Sequence, residues 1–102
     1  MKSLRDPKRK PVHPGELLRE DVLPALKMTQ TELARRLGVS RLSVSELLLE
    51  KRALSADMAI RVGRLTSTTP ESWLRMQEAL DIWALEQNPR RYRTIEPLEV
   101  VA

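Results

Sequence analysis

Residues 29–49 read TQTELARRLGVSRLSVSELLL, a stretch that predicts two short helices joined by a tight turn. Thr29 is a favourable N-cap for the first helix, and Glu32 is placed to complete a capping box with it. Gly38 can adopt the left-handed conformation that ends a helix without a Cβ penalty. Ser40 then caps the second helix. The predicted inward face of the second helix consists of Val44, Leu47 and Leu48. The stretch therefore predicts a helix-turn-helix.

In a helix-turn-helix, the outward face of the second helix lies in the major groove of DNA, with its N-terminal residues nearest the base edges. Arg41 could contact a guanine edge or a phosphate. Leu42 could contact thymine methyl groups or pack beside Leu49, and Ser43 could be a donor or a second capping residue. The predicted DNA-binding residues are Gln30, Thr31, Arg35, Ser40, Arg41, Leu42, Ser43, Ser45, Lys51 and Arg52.

Several of these positions are expected to face phosphates rather than bases. Gln30, in the first turn of the first motif helix, is expected to face a phosphate or to be a solvated helix start. Lys51 and Arg52 follow the second helix and are expected to face the backbone. Of the neighbouring pair Arg35 and Arg36, at least one is expected to remain only solvated.

The composition predicts one all-α domain of five helices. The 102 residues include no Phe, one Tyr and two Trp, and β-branched runs are absent outside the last few residues. No cysteine is present, so disulfides and Cys-ligated zinc are excluded. No stretch has the roughly 20 apolar residues of a membrane helix, and the N-terminus lacks the apolar core of a signal peptide. We expect a cytoplasmic protein with no membrane contact.

The chain is expected to divide into three parts. Residues 1–12 form a basic arm that we expect to be disordered without a partner. Residues 13–87 form the helix-turn-helix domain, and residues 88–102 form a short tail. In the domain, the first helix is expected to start near Pro14 and to break at Leu23, because a residue before proline is biased out of the helical region. In the tail, residues 94–95 and 100–101 could pair as extended segments or remain loose.

Charge is unevenly distributed over a net +4. Residues 1–12 carry +4 and residues 29–52 carry +2, whereas residues 70–87 carry −3. Basic segments favour a phosphate backbone, while an acidic helix suits a protein partner or is simply a solvated face.

The acidic segment is expected to be a long fifth helix, with Thr69 as its N-cap and Pro70 in its first turn. It has two apolar stripes, which is more apolar surface than packing against one domain requires. We predict that it closes the core and also forms a two-fold dimer, although tryptophan at such positions is more often core. The predicted dimer residues are Trp73, Leu74, Ile82, Trp83 and Leu85.

Three further segments carry a family resemblance: HPGELLREDVLP at 13–24, SADMAIRV at 55–62 and TPESWL at 69–74. With the motif, they resemble HigA-type (VapI-like) antitoxins of the Xre, phage-repressor-like helix-turn-helix family, over roughly residues 12–87. The resemblance implies a homodimer that binds an inverted-repeat operator, represses its own operon and neutralises a HigB-type mRNA-cleaving toxin. It would be nucleoid-associated when bound to the operator. Where the family usually has Asn-Gly, this chain has Leu49-Glu50, so the second motif helix runs on or ends in a different turn.

Two other functions remain open: a stand-alone Xre-type repressor without a toxin, and a protein-binding module in which the helix-turn-helix is only a scaffold. An enzyme is not expected, since the chain has no nucleophile with a plausible histidine partner and no phosphate-binding glycine loop. We expect no cofactor and no metal. His13 is the only histidine and fits a helix start, and the acidic trio Glu16, Glu20 and Asp21 fits a solvated helical face.

Overall fold

The structure, a computed structural model, describes residues 8–99, and all regular elements in that range are helical. The first helix, α1, has three consecutive segments: α-helical Pro14–Leu17, π-helical Leu18–Val22 and α-helical Leu23–Leu26. It is followed by α2 (Gln30–Leu37), α3 (Arg41–Leu48), α4 (Ala56–Thr66) and α5 (Pro70–Glu86). A short 3-10 turn, Pro89–Arg91, follows α5. The five-helix, all-α prediction is confirmed.

The predicted break in α1 at Leu23 is wrong. Leu23 has helical dihedrals (φ −60°, ψ −46°), and its backbone N–H donates to the carbonyl of Leu18. This i→i+5 bond belongs to the π-helical turn, which shifts the hydrogen-bond ladder just before Pro24, a residue with no N–H to donate. The proline is thus accommodated by a widened turn, and the helix continues to Leu26, after which Lys27 adopts a left-handed conformation.

The start of α1 packs closely against α3. A Cβ on Gly15 would lie 1.8 Å from the backbone oxygen of Leu47, so only glycine permits this approach. His13 caps α1, because its Nδ1 accepts from the N–H of Gly15 at 2.9 Å, and its expected place at a helix start is confirmed. The position of α3 is therefore fixed by backbone contact as well as by side-chain packing.

One apolar core holds the helices together. Its fully covered side chains include Leu18 of α1, Val44 of α3 and Ala59 of α4. Gln77 of α5 is also buried, and its Oε1 accepts from the backbone N–H of Leu54 at 2.8 Å. The core residues are Leu18, Leu23, Leu33, Ala34, Leu37, Val44, Leu47, Leu48, Leu54, Met58, Ala59, Val62 and Trp73.

Residues 1–7 and 100–102 lie outside the described range, so most of the predicted basic arm and the Val100-Val101 segment lie there too. Residues 8–12 form no helix, and residues 92–99 are exposed without forming a strand. Extended pairing at Thr94-Ile95 therefore does not occur within the described chain. Among residues 8–99, no helix is long and apolar enough to span a membrane.

Candidate DNA-binding surface

The helix-turn-helix has the predicted caps. Thr29 Oγ1 accepts from the backbone N–H of Glu32 at 3.1 Å, and Ser40 Oγ accepts from that of Ser43 at 3.0 Å. Between them, Gly38 has φ 71° and ends α2 in the left-handed conformation. One detail is wrong: the Glu32 carboxylate does not return to the N–H of Thr29, because two arginines of α2 hold it instead. The geometry of the motif is otherwise confirmed.

Arg61 of α4 secures the turn between α2 and α3. Its Nη1 donates to the carbonyl of Leu37 at 2.8 Å and to that of Gly38 at 3.3 Å, while its Nε donates to Asp57 Oδ2 at 2.9 Å. A cation is favourable here because the last carbonyls of α2 carry partial negative charge. Sequence reasoning missed this contact, since residues 24 positions apart show no local signal of their meeting.

The Leu49-Glu50 pair ends α3 by a Schellman motif. The backbone N–H of Lys51 donates to the carbonyl of Glu46 at 2.9 Å, and that of Glu50 donates to the carbonyl of Leu47 at 3.0 Å. Glu50 occupies the left-handed position with φ 62°, a conformation usually taken by glycine or asparagine. Of the two expected outcomes, the helix does not run on: it ends at Leu48, in a turn where Glu50 takes the left-handed position.

Arg19 of α1 supports this helix end. Its Nη1 donates to the carbonyl of Leu48 at 2.5 Å and lies 3.3 Å from Glu50 Oε2, while its Nε donates to Glu20 Oε1 at 2.9 Å. The hydrogen bond with Glu20, then the one with Glu50, raises the pKa of Arg19. Arg19 thus links α1 to the C-terminus of α3, a second contact that the sequence did not reveal.

The outward face of α3 contains an unpaired cation and two exposed leucines. Arg41, at the first position of α3, makes no hydrogen bond or ion pair within residues 8–99. Leu42 is 66% exposed and Leu49 is 54% exposed, so neither covers the other. Ser45 lies on the same side and is half-buried. This arrangement leaves Arg41 and Leu42 available to a molecule outside the chain.

The other two predicted serines, Ser40 and Ser43, lie at the N-terminal cap of α3. Ser40 Oγ and Ser43 Oγ lie 2.8 Å apart in a mutual hydrogen bond, in addition to the capping bond from the N–H of Ser43. Ser40 is therefore the N-cap of α3, and the Ser43 hydroxyl bonds the Ser40 hydroxyl rather than a backbone N–H. Gln30 and Thr31 lie in the first turn of α2, where Gln30 is half-buried and Thr31 is exposed.

Two of the four predicted basic residues, Arg35 and Arg52, have a carboxylate partner, as does the neighbouring Arg36. Glu32 binds Arg35 through bonds of 3.0 and 2.6 Å and Arg36 through one of 2.7 Å. These hydrogen bonds, with that from Arg35 the stronger influence, lower the pKa of Glu32 from its ordinary 4.5 to about 2, and the same pairing raises the pKa of Arg35. The expectation that one of the two arginines is only solvated is wrong, because both share one carboxylate.

After α3, Arg52 pairs with Glu46 at 3.3 Å. Lys51 is exposed, and its ammonium group has no partner in the described part of the chain. Lys51 and Arg41 are therefore the two cations of the motif whose side chains have no carboxylate partner within residues 8–99.

The predicted dimer residues divide between core and surface. Trp73 is only 4% exposed, and its Nε1 donates to Thr68 Oγ1 at 2.7 Å. Its place in the predicted interface is therefore wrong, because the core of its own chain buries it. Leu74 packs against the core from its edge, whereas Ile82 and Leu85 are each 45% exposed.

Trp83 lies between these extremes. It is half-buried, and its Nε1 has no hydrogen-bond partner within residues 8–99. The C-terminal half of α5 therefore presents apolar surface that the domain does not cover.

No group of three or more potential metal ligands occurs among the described residues. In the acidic trio, Glu20 pairs with Arg19 at 2.9 Å.

The fold and the exposed face of α3 define a helix-turn-helix protein. The helix-turn-helix family model matches residues 18–74, and the chain belongs to this family. Among its relatives, the HTH-type transcriptional regulator YbaQ of Escherichia coli is 39% identical over 94 residues, covering 92% of this chain and 83% of that protein. Antitoxin HigA-1 of Vibrio cholerae is 39% identical over 80 residues, covering 78% and 75%.

A solved structure agrees with these relatives. The Pseudomonas aeruginosa antitoxin HigA, determined with the higBA promoter, superposes with a TM-score of 0.81 at 38% identity, covering 88% of this chain and all of that one. The resemblance to HigA antitoxins is therefore confirmed. These relatives are regulators and antitoxins, and the family assignment confirms that the chain is not an enzyme.

Proposed function

We propose that this chain is a DNA-binding antitoxin that represses its own operon and neutralises a HigB-type mRNA-cleaving toxin. The observation that carries the DNA-binding part is the outward face of α3. Arg41 and Leu42 are exposed there, and their side chains have no polar partner within residues 8–99, at the N-terminal end that approaches base edges. The solved HigA relative with its promoter supports the same use of the fold.

In this proposal, α3 lies in the major groove of operator DNA. Arg41 contacts a guanine edge or a phosphate there. Gln30 and Thr31, at the N-terminus of α2, face the phosphate backbone, which the positive end of that helix favours. Lys51 adds a phosphate contact at the far end of α3. Arg35, Arg52 and Arg36 contribute positive potential, reduced by their bound carboxylates.

The protein acts as a two-fold dimer through α5. Ile82 and Leu85 supply the exposed apolar surface, flanked by Leu74 and Trp83. A dimer also places two recognition helices about 34 Å apart, one turn of DNA, on an inverted repeat. Because one helix-turn-helix makes few base contacts, the second copy is needed for useful specificity.

The toxin partner rests on the family resemblance and on the relative named antitoxin HigA-1. The net charge of −3 on residues 70–87 suits a protein partner better than it suits DNA. We place the protein in the bacterial cytoplasm, on the nucleoid when it is bound to its operator.

A reporter experiment tests repression. The region upstream of the chain's gene drives a reporter in cells that produce the native chain, Arg41→Ala or Arg93→Ala. The last variant removes an exposed cation from the tail, outside the helix-turn-helix. Native protein and Arg93→Ala are expected to repress, and Arg41→Ala to repress weakly. Equal repression by the native chain and both variants would contradict the role of α3.

A stand-alone repressor is the second candidate, favoured by the E. coli relative named as a transcriptional regulator. Producing the protein of the adjacent gene with and without this chain separates the two. An antitoxin restores growth that the adjacent protein arrests. If the chain is a stand-alone repressor, growth is the same with and without it.

A further inference from the structure

Two leucines distinguish the outward face of α3. Leu42 has the most exposed large apolar side chain in the five described helices, at 66%, and Leu49 follows α3 at 54%. Seven positions apart along nearly two helical turns, they face the same side at a spacing of about 10 Å. A partner that presents apolar groups at the same spacing could cover both leucines at once.

Few polar groups on this face are free to recognise bases. Ser40 and Ser43 are hydrogen-bonded to each other, and the Glu46 carboxylate pairs with Arg52. The helix has no Asn or Gln, the side chains that pair bidentately with adenine. Arg41 and Ser45 are therefore the remaining polar groups, and the leucines provide the rest of the contact surface.

We propose that Leu42 and Leu49 contact the C5-methyl groups of two thymines in each operator half-site. This inference rests on the proposed DNA-binding function. The thymine methyl is the apolar group that B-DNA displays in its major groove. Other base edges there are polar, and a leucine against them would desolvate donors and acceptors without replacing their hydrogen bonds.

The spacing makes the proposal specific. Along the DNA axis, about 10 Å is at most about three base steps of 3.4 Å, and a helix in the major groove is inclined to that axis. The two thymines are therefore expected about two to three base pairs apart, on either strand, with the position contacted by Arg41 near the first.

The test uses duplexes that the full chain enriches from a random-sequence synthetic pool. Thymines of an enriched duplex are replaced one at a time by deoxyuridine, which pairs identically but lacks the methyl group. Synthetic DNA carries no methylated cytosine, so any effect comes from thymine. Loss of one contacted methyl is expected to weaken binding about fourfold, measured by fluorescence anisotropy.

Leucine variants assign each methyl. Leu42→Ala is expected to bind thymine and deoxyuridine equally at one position, and Leu49→Ala at the other. Leu26→Ala is the control, because it removes a 47% exposed leucine at the end of α1, and it is expected to keep native discrimination.

The possible outcomes distinguish a failure of the methyl contacts from a failure of the proposed DNA binding. Enriched duplexes that bind within twofold after every deoxyuridine replacement would overturn the methyl contacts while leaving DNA binding intact. If both alanine variants still bind thymine more tightly than deoxyuridine at both positions, as the native chain does, the methyl groups are not contacted by these leucines. If no duplex is enriched, the proposed DNA-binding function fails together with the inference.

Discussion

Gly38 is the residue at which the turn of the helix-turn-helix can be tested most directly, by the change Gly38→Ala. Its φ of 71° lies in the left-handed region, where a residue with a Cβ costs roughly 1–2 kcal/mol. Alanine also restricts the unfolded chain, which offsets about 0.4–1 kcal/mol. The added Cβ would lie 3.2 Å from Arg61 Nη1, so the guanidinium that holds two carbonyls of the turn must also shift. A net loss of about 1 kcal/mol is expected.

The assay is thermal unfolding followed by circular dichroism. For a domain of this size, 1 kcal/mol corresponds to a fall of about 4–8 °C in Tm, and Gly38→Val is expected to fall further because valine is β-branched. The matched control is Lys27→Gly, since Lys27 already holds an exposed side chain in the left-handed conformation at φ 51°. Its Tm is expected to stay level or rise. An unchanged Tm for Gly38→Ala would refute the strain argument.

Three further predictions follow from the surface and its ion pairs. Arg41→Ala is expected to lose roughly 1–3 kcal/mol of operator binding at matched salt with an unchanged Tm, and native affinity would contradict its role. Ile82→Asp is expected to be folded but monomeric by light scattering, because an unpaired carboxylate is costly to bury in an interface; a dimeric variant would move the interface elsewhere. The pKa of Glu32 is lowered to about 2, so its contribution to stability is complete above about pH 4.5 and disappears as the pH falls towards 2. The Tm difference between native protein and Glu32→Gln should shrink over that range, and a constant difference would show that the Glu32 pairs do not stabilise the fold.

The sequence predicted those features of the fold that depend on local chemistry. The caps at Thr29, Ser40 and Thr69 and the glycine at position 38 are formed as expected, because each depends on residues within one turn. The predicted break at Leu23 does not occur, because the bias before proline is only a local preference. The π-helical turn shifts the hydrogen-bond ladder just before Pro24, so α1 continues.

The candidate surface was less predictable, because long-range contacts decide which charged groups are free. Arg19 and Arg61 each hold a helix end across more than 20 positions of sequence, and no spacing rule brings such pairs together. Trp73 was misplaced for a related reason: a helical stripe shows which side chains share a face, but not how far along the helix the core extends. Arg41 and Leu42 were predicted correctly as outward-facing, since helical periodicity alone decides that.

The central claim is that the chain recognises specific DNA through α3. Fluorescence anisotropy of the full chain with DNA from upstream of its own gene, against a shuffled duplex at the same salt concentration, tests it most directly. Binding to the upstream DNA is expected to be about a thousandfold tighter or more, with the preference reduced in Arg41→Ala. Equal affinity for the two duplexes would contradict it.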